Sequence, residues 1–527
     1  MLREYLGKQK ILCDLKPTGD IGTDKVIIPE IIEQTRSLHE FNKNLYGIDE
    51  SYYYNDTNIK FKTKTQQPDI NNKISVNYAQ IAVTTIDGYC FSEPMTVSSR
   101  NADVEVQRRI QALKDAMKND NYEQKTKQVT QKSGIFSIGY KYITNPTEQD
   151  KRNGQFFRTY STLDPKCTYM VYENSIEQEE VCCINYYTKK FYDLKTGKFI
   201  NSAVVYTVWT KWHKWEFYKY NGAWQTIPYS TWVENQQIQF DAEPYGSSIG
   251  LIPVVPFIRK NDLTNDFELG YPLIDAINTL VSSRLDGVQE IVDYLLVLRD
   301  IDTDSDEALE AVKQNLKAGI LSFKSIPRAT VQPEVKKLDM SLNQSEVQTL
   351  QDFLCKELEE VLNIPSRETR GSSGDTGLAV ESRAGYRSLE NIAGEVTSNA
   401  IYAENKCLEL ILAIGKGYAD CPYRDLELSD IQINSNRNRA ENMVNSANAY
   451  NVMKASGMSD RLALEKSRLS NDSLSDSEEN LRYQKEQIDI EVEKTARLSA
   501  QNKQSSEAGQ TADEDTNNGS NNSDVEE

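Results

Sequence analysis

The spacing of apolar residues changes character several times along this chain, and each change predicts a different kind of element. Up to about residue 50 the pattern is helical in short pieces, such as Ile27 to Leu38 with Pro29 near its start, followed by the polar, tyrosine-rich stretch Ser51 to Asn58. Val104 to Met117 repeats the helical pattern and feeds Ser133-Gly134-Ile135-Phe136-Ser137-Ile138-Gly139-Tyr140, where glycines flank a short apolar run. The opening therefore reads as α+β. From about Tyr160 aromatic and β-branched residues dominate, in Cys182 to Tyr187, Phe191-Tyr192, Val204 to Trp209 and Trp215 to Tyr220, with Asn221-Gly222 before Trp224. An Asn-Gly between such runs is a hairpin signature, so an antiparallel meander is predicted.

After Pro253 and Pro256 the rhythm turns helical. Leu273, Ile277, Leu280, Arg284, Val288, Ile291, Leu295 and Leu298 recur at intervals of three and four, one stripe of a helix about 27 residues long and about 40 Å in length, with Pro272 in its first turn. A second long helix has strong local grammar. Asn343 is placed to cap it, Glu346 to complete a capping box, and Leu342 with Val347 to form a hydrophobic staple. Val347, Leu350, Leu354, Leu358 and Val361 carry its stripe until Pro365.

Between these two rods lies a unit too small to fold alone. Asp304 and Glu307 open a helix lined by Leu309, Val312 and Leu316, and Ile320 to Phe323 and Ala329 to Val331 read as strands on either side of Pro327. Following Pro365, the segment Ser366 to Gly377 is polar and glycine-rich and is predicted to be a mobile loop. It opens into the longest helical pattern, Leu389, Ile392, Val396, Ala400, Ala403, Cys407, Leu410 and Ile414, ended by Gly415 and Gly417. Helices are also predicted at Ala440 to Lys454, stopped by Gly457, at Asp460 to Leu469 with Ser459 as cap, and at Glu478 to Leu498. From Gln501 the chain is rich in serine, asparagine and acids, which predicts disorder.

Composition narrows the chemistry. The chain has 527 residues, enough for several domains, and a formal net charge of -19, which disfavours a static grip on a phosphate backbone but suits a surface past which nucleic acid slides. Eight cysteines are scattered without a metal-ligand or CxxC spacing and read as reduced core residues. Met1 is followed by a charged segment rather than a leader-like apolar run, and no stretch approaches the roughly 18 to 20 apolar residues of a membrane span, so a reducing compartment is expected.

Only two histidines occur, His39 and His213, so neither a histidine triad nor a multi-histidine metal centre is expected. The tryptophans around His213, Trp209, Trp212 and Trp215, read as packing for a β layer rather than as a base-stacking platform. Asp300 to Asp306 alternates acids but lacks the EF-hand glycine at Ser305 and the glutamate at Ala311, and reads as an acidic loop before a helix. No phosphate-binding loop, dinucleotide fingerprint or GxSxG occurs. No catalytic residue, metal or cofactor is assigned.

The order of these elements resembles the portal proteins of tailed bacteriophages, in particular the SPP1 portal-like family. The residues that carry the resemblance are Ile252 to Phe257 leading to Phe267-Glu268-Leu269-Gly270-Tyr271-Pro272-Leu273-Ile274-Asp275-Ala276-Ile277-Asn278, and the loop Gly371 to Ala379 with the helix after it. The resemblance implies a mainly helical, multidomain α+β portal fold: a wing at 1–265 with a β meander at about 160–235, stem helices at 266–298 and 342–364, a clip at 299–341, a tunnel loop at 365–375, a long wing helix at 376–417, a helical crown at 418–498 and a disordered acidic tail at 499–527. It further implies a homo-oligomeric ring, a dodecamer, at one capsid vertex of the virion, assembled in the host cytoplasm. Double-stranded DNA would pass through its channel without sequence-specific binding during packaging and ejection.

Arg367, Glu368, Arg370, Ser372, Ser373 and Asp375 would face the DNA, and Asp302, Asp304, Asp306, Lys313 and Lys317 would dock partners on the clip. Terminase, a head-completion adaptor, and the major capsid and scaffolding proteins are the implied partners. Two rivals remain open at this point. One is a non-catalytic capsid-associated scaffold or adaptor, which would run near the mass of one or two chains. The other is a metal-dependent DNA-processing enzyme, which would cleave DNA in Mg²⁺.

Overall fold

The computed structural model describes residues 7–65, 68–100, 103–192, 199–220, 222–226, 244–246, 249–292, 296–299, 334–337, 344–365, 386–435, 443–467 and 473–514, with positions 307, 310, 314, 437 and 469. The chain is mixed α+β and mainly helical, with a β-rich region, and forms two compact units, Met1–Ser92 with Ala116–Arg424, and Glu93–Asp115 with Asp425–Glu527.

The first unit is layered on a long helix, α1 (Ile21–Tyr53), capped by Asp20, whose side chain accepts from Thr23 N at 2.9 Å. It is one helix rather than the short pieces expected, and Pro29 lies in its interior, where it removes one backbone hydrogen bond. Its buried stripe explains the difference. Ile28, Ile31 and Ile32 are followed at helical spacing by Thr35, His39, Asn42, Tyr46 and Asp49, so the inward face changes from aliphatic to polar halfway along. Each polar member shown here has a partner: Asn42 Nδ2 donates to Gln9 O at 2.8 Å, and His39 Nε2 to Lys166 O at 3.1 Å.

In chain order the strands are β1 (Ile11–Cys13), β2 (Thr96–Ser99), β3 (Ile138–Thr144), β4 (Arg158–Tyr160), β5 (Thr168–Glu173), β6 (Glu180–Tyr192), β7 (Phe199–Trp209), β8 (His213–Tyr220), β9 (Ala223–Thr226), β10 (Tyr245–Gly246) and β11 (Val254–Ile258). Strands β5 to β9 form the expected antiparallel meander, in the sheet order β1-β5-β6-β7-β8-β10 with β9 also on β8. β1 adds to its edge in parallel, Ile11 opposite Val171, a pairing with no local sequence signature. Side chains alternate across the sheet. Val171, Cys182, Val208, Trp215 and Phe217 pack with Ile28, Ile31 and Ile32 of α1, while Met170, Tyr172, Cys183 and Trp209 belong to a second core.

That second core is built on the sheet β11-β3-β4, the helices α2 (Tyr78–Phe91) and α4 (Tyr122–Phe136), and a later long helix. A short helix, α5 (Glu148–Arg152), carries a capping box between Thr147 and Asp150. β3 approaches α4 so closely that a Cβ on Gly139 would lie 2.4 Å from Val129 O, which only glycine permits. α2 was not expected, because its face-to-face contrast is low: Ala82, Val83, Ile86, Tyr89, Cys90 and Phe91 are all buried.

Two paired helices follow. α6 (Tyr271–Val292) carries Pro272 in its first turn as expected, but it ends before Leu298. Leu296–Arg299 is instead a strand, β12, antiparallel to β13 (Glu334–Lys337), with Arg299 opposite Glu334. A run of consecutive apolar residues satisfies either period, and here cross-strand pairing takes the backbone; Leu295 lies outside the described residues.

α7 (Gln344–Val361) is closed by Asn363 in the left-handed region, φ 54°, with Ile364 N donating to Glu359 O at 2.9 Å and Asn363 N to Glu360 O at 3.1 Å. This is a Schellman end, so the stop is set by Asn363 before Pro365 is reached. The capping Asn343 lies outside the described residues, as do the helix and strands expected from Asp304 to Val331, apart from helical positions 307, 310 and 314. α8 (Tyr386–Lys416) buries Leu389, Val396, Ala400, Ala403, Cys407, Leu410 and Ile414 as its pattern predicts, and its end packs on Tyr423, 3.0 Å from where a Cβ on Gly415 would sit.

The second unit pairs β2 with β14 (Ile431–Asn434), Ile431 opposite Ser99, and contains most of α3 (Val104–Asn119). Its helices α9 (Met443–Ala455), α10 (Asp460–Ser467) and α11 (Ser473–Glu514) follow the expected pattern. Gly457, φ 88°, ends α9 with Met458 N on Met453 O at 3.1 Å, and Ser459 Oγ accepts from Leu462 N at 3.4 Å. One expectation is corrected: the segment from Gln501, read as disordered, continues α11 to Glu514. Once a helix is nucleated, each Gln, Lys, Glu or Ala adds a hydrogen bond at little cost. Residues 515–527 lie outside the described residues.

Buried ions tie the layers of the first unit together. Lys141 of β3 is fully buried, paired with Glu404 of α8, donates to Thr126 Oγ1 at 2.6 Å and sits 4.0 Å from the Tyr122 ring centroid. Arg259 forks onto Asp266 (3.0 and 2.6 Å) and reaches Asp87 of α2 at 2.7 Å. Lys141→Met strands the Glu404 carboxylate in the core and is expected to cost about 3–5 kcal/mol. The check is the urea midpoint of the first unit's transition, which is expected to recover in part in Lys141→Met/Glu404→Met; equal midpoints for wild type and Lys141→Met would contradict it.

Candidate functional site

The paired helices α6 and α7 are anchored at one end and uncovered towards the other. Near the anchored end Ile274, Ile277, Leu358 and Leu362 are buried in the second core with Ala79, Ala82, Val83 and Phe267. Leu358 Cδ1 and Leu362 Cδ2 would both lie 2.9 Å from a Cβ on Gly270, so these leucines use the space a larger residue would occupy. Further along, Leu285, Val288, Leu350 and Phe353 are exposed, Leu350 at 49% and Phe353 at 55%. The two helices are bridged there by Arg284, whose Nη1 donates to Gln348 Oε1 at 2.6 Å and Gln351 Oε1 at 3.1 Å. Val288 and Leu350 belong to the stripes predicted from the sequence, which are therefore only half covered among the described residues, and Leu285 and Phe353 widen the exposed apolar area beyond them.

Where α6 begins, Lys8 is buried between two carboxylates, Glu268 Oε2 at 2.6 Å and Asp49 Oδ2 at 3.0 Å. Tyr271 OH donates to Asp49 Oδ1 at 2.6 Å, Tyr52 OH donates to Asp275 Oδ2 at 2.8 Å, and the two tyrosine rings stack with centroids 4.1 Å apart. The cluster joins the N-terminal segment, α1 and the first turn of α6. One ammonium cannot neutralise two buried carboxylates. Burial pushes the Asp49 carboxyl up to about 6, Lys8 and the Tyr271 hydrogen bond oppose the rise, and Glu268 adds to it. Burial and Asp49 together raise the Tyr271 phenol above its usual range. Sequence alone offered no route to this cluster, because Lys8, Asp49 and Glu268 are isolated charges in unrelated segments.

The residues expected to face DNA, Arg367, Glu368, Arg370, Ser372, Ser373 and Asp375, lie outside the described residues, as do Asp302, Asp304, Asp306, Lys313 and Lys317. Trp209 and Trp215 pack as the β-layer reading expected: both are buried, and Trp215 stacks on Phe217 at 5.4 Å. Trp212, between β7 and β8, is instead exposed and lies against Gly19, φ 86°. His39 is buried against Tyr169 at 4.3 Å, and burial lowers its pKa to about 4, so it is neutral at neutral pH. Six cysteines are buried and Cys167 and Cys355 are half-buried. Among the described residues no group of three or more His, Cys, Asp or Glu side chains could hold a metal ion, and no helix is long and apolar enough to cross a membrane.

A pH dependence follows from Asp49. A carboxyl whose folded pKa is raised is protonated in the folded chain while ionised in the unfolded one, so stability falls as pH rises from about 4 to about 6. Asp49→Asn is expected to remove that fall, on the order of 2–3 kcal/mol, while leaving the Lys8–Glu268 pair. Unfolding free energies at pH 4 and pH 7 for both proteins provide the check, and identical slopes would contradict it.

Comparison with known proteins agrees with this architecture. The family described as phage portal protein, SPP1 Gp6-like, matches residues 39–494, which takes in α6, α7, α8 and most of both units. The portal protein of Bacillus phage SPP1 is similar at 22% identity over 396 residues, covering 70% of this chain and 72% of that protein. With its family match running from within α1 to within α11, the chain belongs to the SPP1 Gp6-like family of phage portal proteins.

Proposed function

We propose that the chain closes into a ring at one capsid vertex and encloses the channel through which double-stranded DNA is packaged and later ejected. The reading refines the structural, capsid-associated role that goes with the family. The observation that carries it is the half-covered hairpin of α6 and α7. Leu285, Val288, Leu350 and Phe353 are apolar, exposed and on long helices, and a copy of the same chain on each side would cover them equally in every subunit of a closed ring. The proposed ring is a dodecamer.

In this reading residues 1–265 and 376–417 are the wing, 266–298 and 342–364 the stem, 418–498 the crown and 299–341 the clip. β12 and β13 support the clip as a separate excursion, because their pairing brings Arg299 and Glu334 side by side and closes its base. Asp302, Asp304, Asp306, Lys313 and Lys317 are proposed to dock terminase and then the head-completion adaptor. The major capsid and scaffolding proteins are proposed to hold the ring from outside. Residues 365–375, with Arg367, Glu368, Arg370, Ser372, Ser373 and Asp375, are proposed to line the tunnel. A net charge of -19 suits a wall that does not grip passing DNA, since few counterions would be released at each contact. No bond-breaking step is assigned to this chain; the work of translocation is assigned to a separate ATPase.

The test is native mass together with negative-stain imaging. Wild type is expected as an annular particle with a central hole, and a mass of one or two chains under all assembly conditions would sink the reading. Leu350→Lys/Phe353→Lys is expected to give folded subunits of single-chain mass, with the helical circular-dichroism signal retained. Deleting Gly371 to Gly377 is expected to leave rings intact but reduce packaged DNA at least about tenfold, as for a residue set that contacts the moving duplex without holding the fold. Misfolded subunits instead would make that segment part of the core.

A further inference from the structure

The side of α6 that looks solvent-facing in the sequence is buried. Asp275, Asn278, Ser282, Asp286 and Gln289 recur at intervals of three and four, as a hydrophilic face would, yet Asn278, Ser282 and Asp286 are buried. They are covered by residues 71–76, a stretch without helix or strand in the connection between α1 and α2.

The fit is a matched ladder. Asn72 N donates to Asp286 Oδ1 at 2.7 Å, Ile74 N to Ser282 Oγ at 2.9 Å, and Val76 N to Asn278 Oδ1 at 2.9 Å. Every second amide of the segment meets every fourth side chain of the helix. Two residues of extended chain span about 6.6–6.8 Å and four helical residues about 6.0 Å, so the two repeats nearly coincide. The longer Asn278 and Asp286 side chains serve the two ends of the ladder and the short Ser282 its centre, and all three bonds lie at 2.7–2.9 Å.

Ser282 Oγ also donates back to Ile74 O at 3.3 Å, so one hydroxyl serves both backbone groups of Ile74. At the far end Asp286 additionally takes Lys62 Nζ at 2.7 Å and Asn72 Nδ2 at 2.8 Å, and Asn72 Nδ2 reaches Gln289 Oε1 at 2.7 Å. Burial alone would raise the Asp286 carboxyl, but the hydrogen bonds from Lys62 and Asn72 outweigh it and hold its pKa at about 2. It is ionised at neutral pH.

We propose that residues 71–76 are a brace that fixes the rotation of α6 on the body formed by α1 and α2, with Asp286 as its distal lock and Lys62 and Ser282 as positioning residues. A helix held at three successive turns cannot roll about its axis without breaking every rung. The stem-forming helix therefore moves with that body as one piece, and displacement by passing DNA occurs only beyond Gln289. This last step rests on the channel reading above; the brace itself does not.

The test is hydrogen exchange of the full chain, followed by peptide, with assembly scored separately by native mass. Asp286→Ala is expected to raise exchange in peptides covering 71–76 about tenfold or more while peptides from β5 to β8 stay unchanged. Asp286→Asn, which keeps an acceptor for Asn72 N but loses the charge, should fall between that variant and wild type. Ser282→Ala should raise exchange chiefly at Ile74.

Lys62→Met removes only the ion pair and guards against outright misfolding of the Asp286 variants; it too should raise exchange at 71–76, by a smaller factor. No change at 71–76 in Lys62→Met and Asp286→Ala would overturn the brace, as would a rise spread evenly over the whole unit. In assembled rings, Asp286→Ala should retain the annular particle and lose DNA retention, with Asp286→Asn restoring part of it. Unaltered retention alongside raised exchange would overturn the coupling to the stem. Absence of rings in wild type would sink the channel reading and leave the exchange result standing.

Discussion

The register of α6 is set by giving partners to groups taken out of water, on top of the apolar anchor of Ile274 and Ile277 in the second core. The helix starts where Lys8 is shared by Asp49 and Glu268, and it continues along side chains whose acceptors are filled by backbone amides of another segment. Buried polar groups tolerate little displacement, because losing a partner in a low-dielectric interior is far more unfavourable than losing an apolar contact of similar size. An aliphatic interface could slide by a fraction of a turn; this one has a single register. The apolar side of the same helix is treated in the opposite way, left half open beyond the core.

Polar contacts within the chain define where the helix points, and the exposed apolar residues on α6 and α7 are the area that the proposed ring would cover. The Lys141–Glu404 and Arg259–Asp266–Asp87 groups extend the first principle to β3, α8 and α2, so the layers of the unit meet in fixed geometry.

What the sequence revealed followed the same division. Elements specified by local rules were legible: the meander, with Tyr220 opposite Ala223 where the hairpin was expected, the stripe of α8 from Leu389 to Ile414, the Gly457 stop and the packing role of Trp209 and Trp215. The half-covered stripes of α6 and α7 were legible as apolar, although not as uncovered. Elements specified by distant partners were not legible. α1 was cut short because Thr35, His39, Asn42 and Asp49 look hydrophilic until Gln9, Lys166 and Lys8 are placed against them. The polar side of α6 looked solvated for the same reason, and Leu296 to Leu298 joined a strand because Val335 to Lys337 lie opposite. Hydrophobic periodicity reports which faces are greasy; it is silent about polar faces that are buried.

The parallel strand β1 has a consequence for synthesis. Ile11 to Cys13 pair with Val171 to Glu173, so the first strand to leave the ribosome has nothing to bind until the meander that follows much later has been made. The second unit repeats the problem, since β2 waits for β14 near the other end of the chain. β1 meets its partner once about a third of the chain has been made, whereas β2 stays unpaired until most of it has, so a nascent chain offers an open strand edge to another copy for most of its translation.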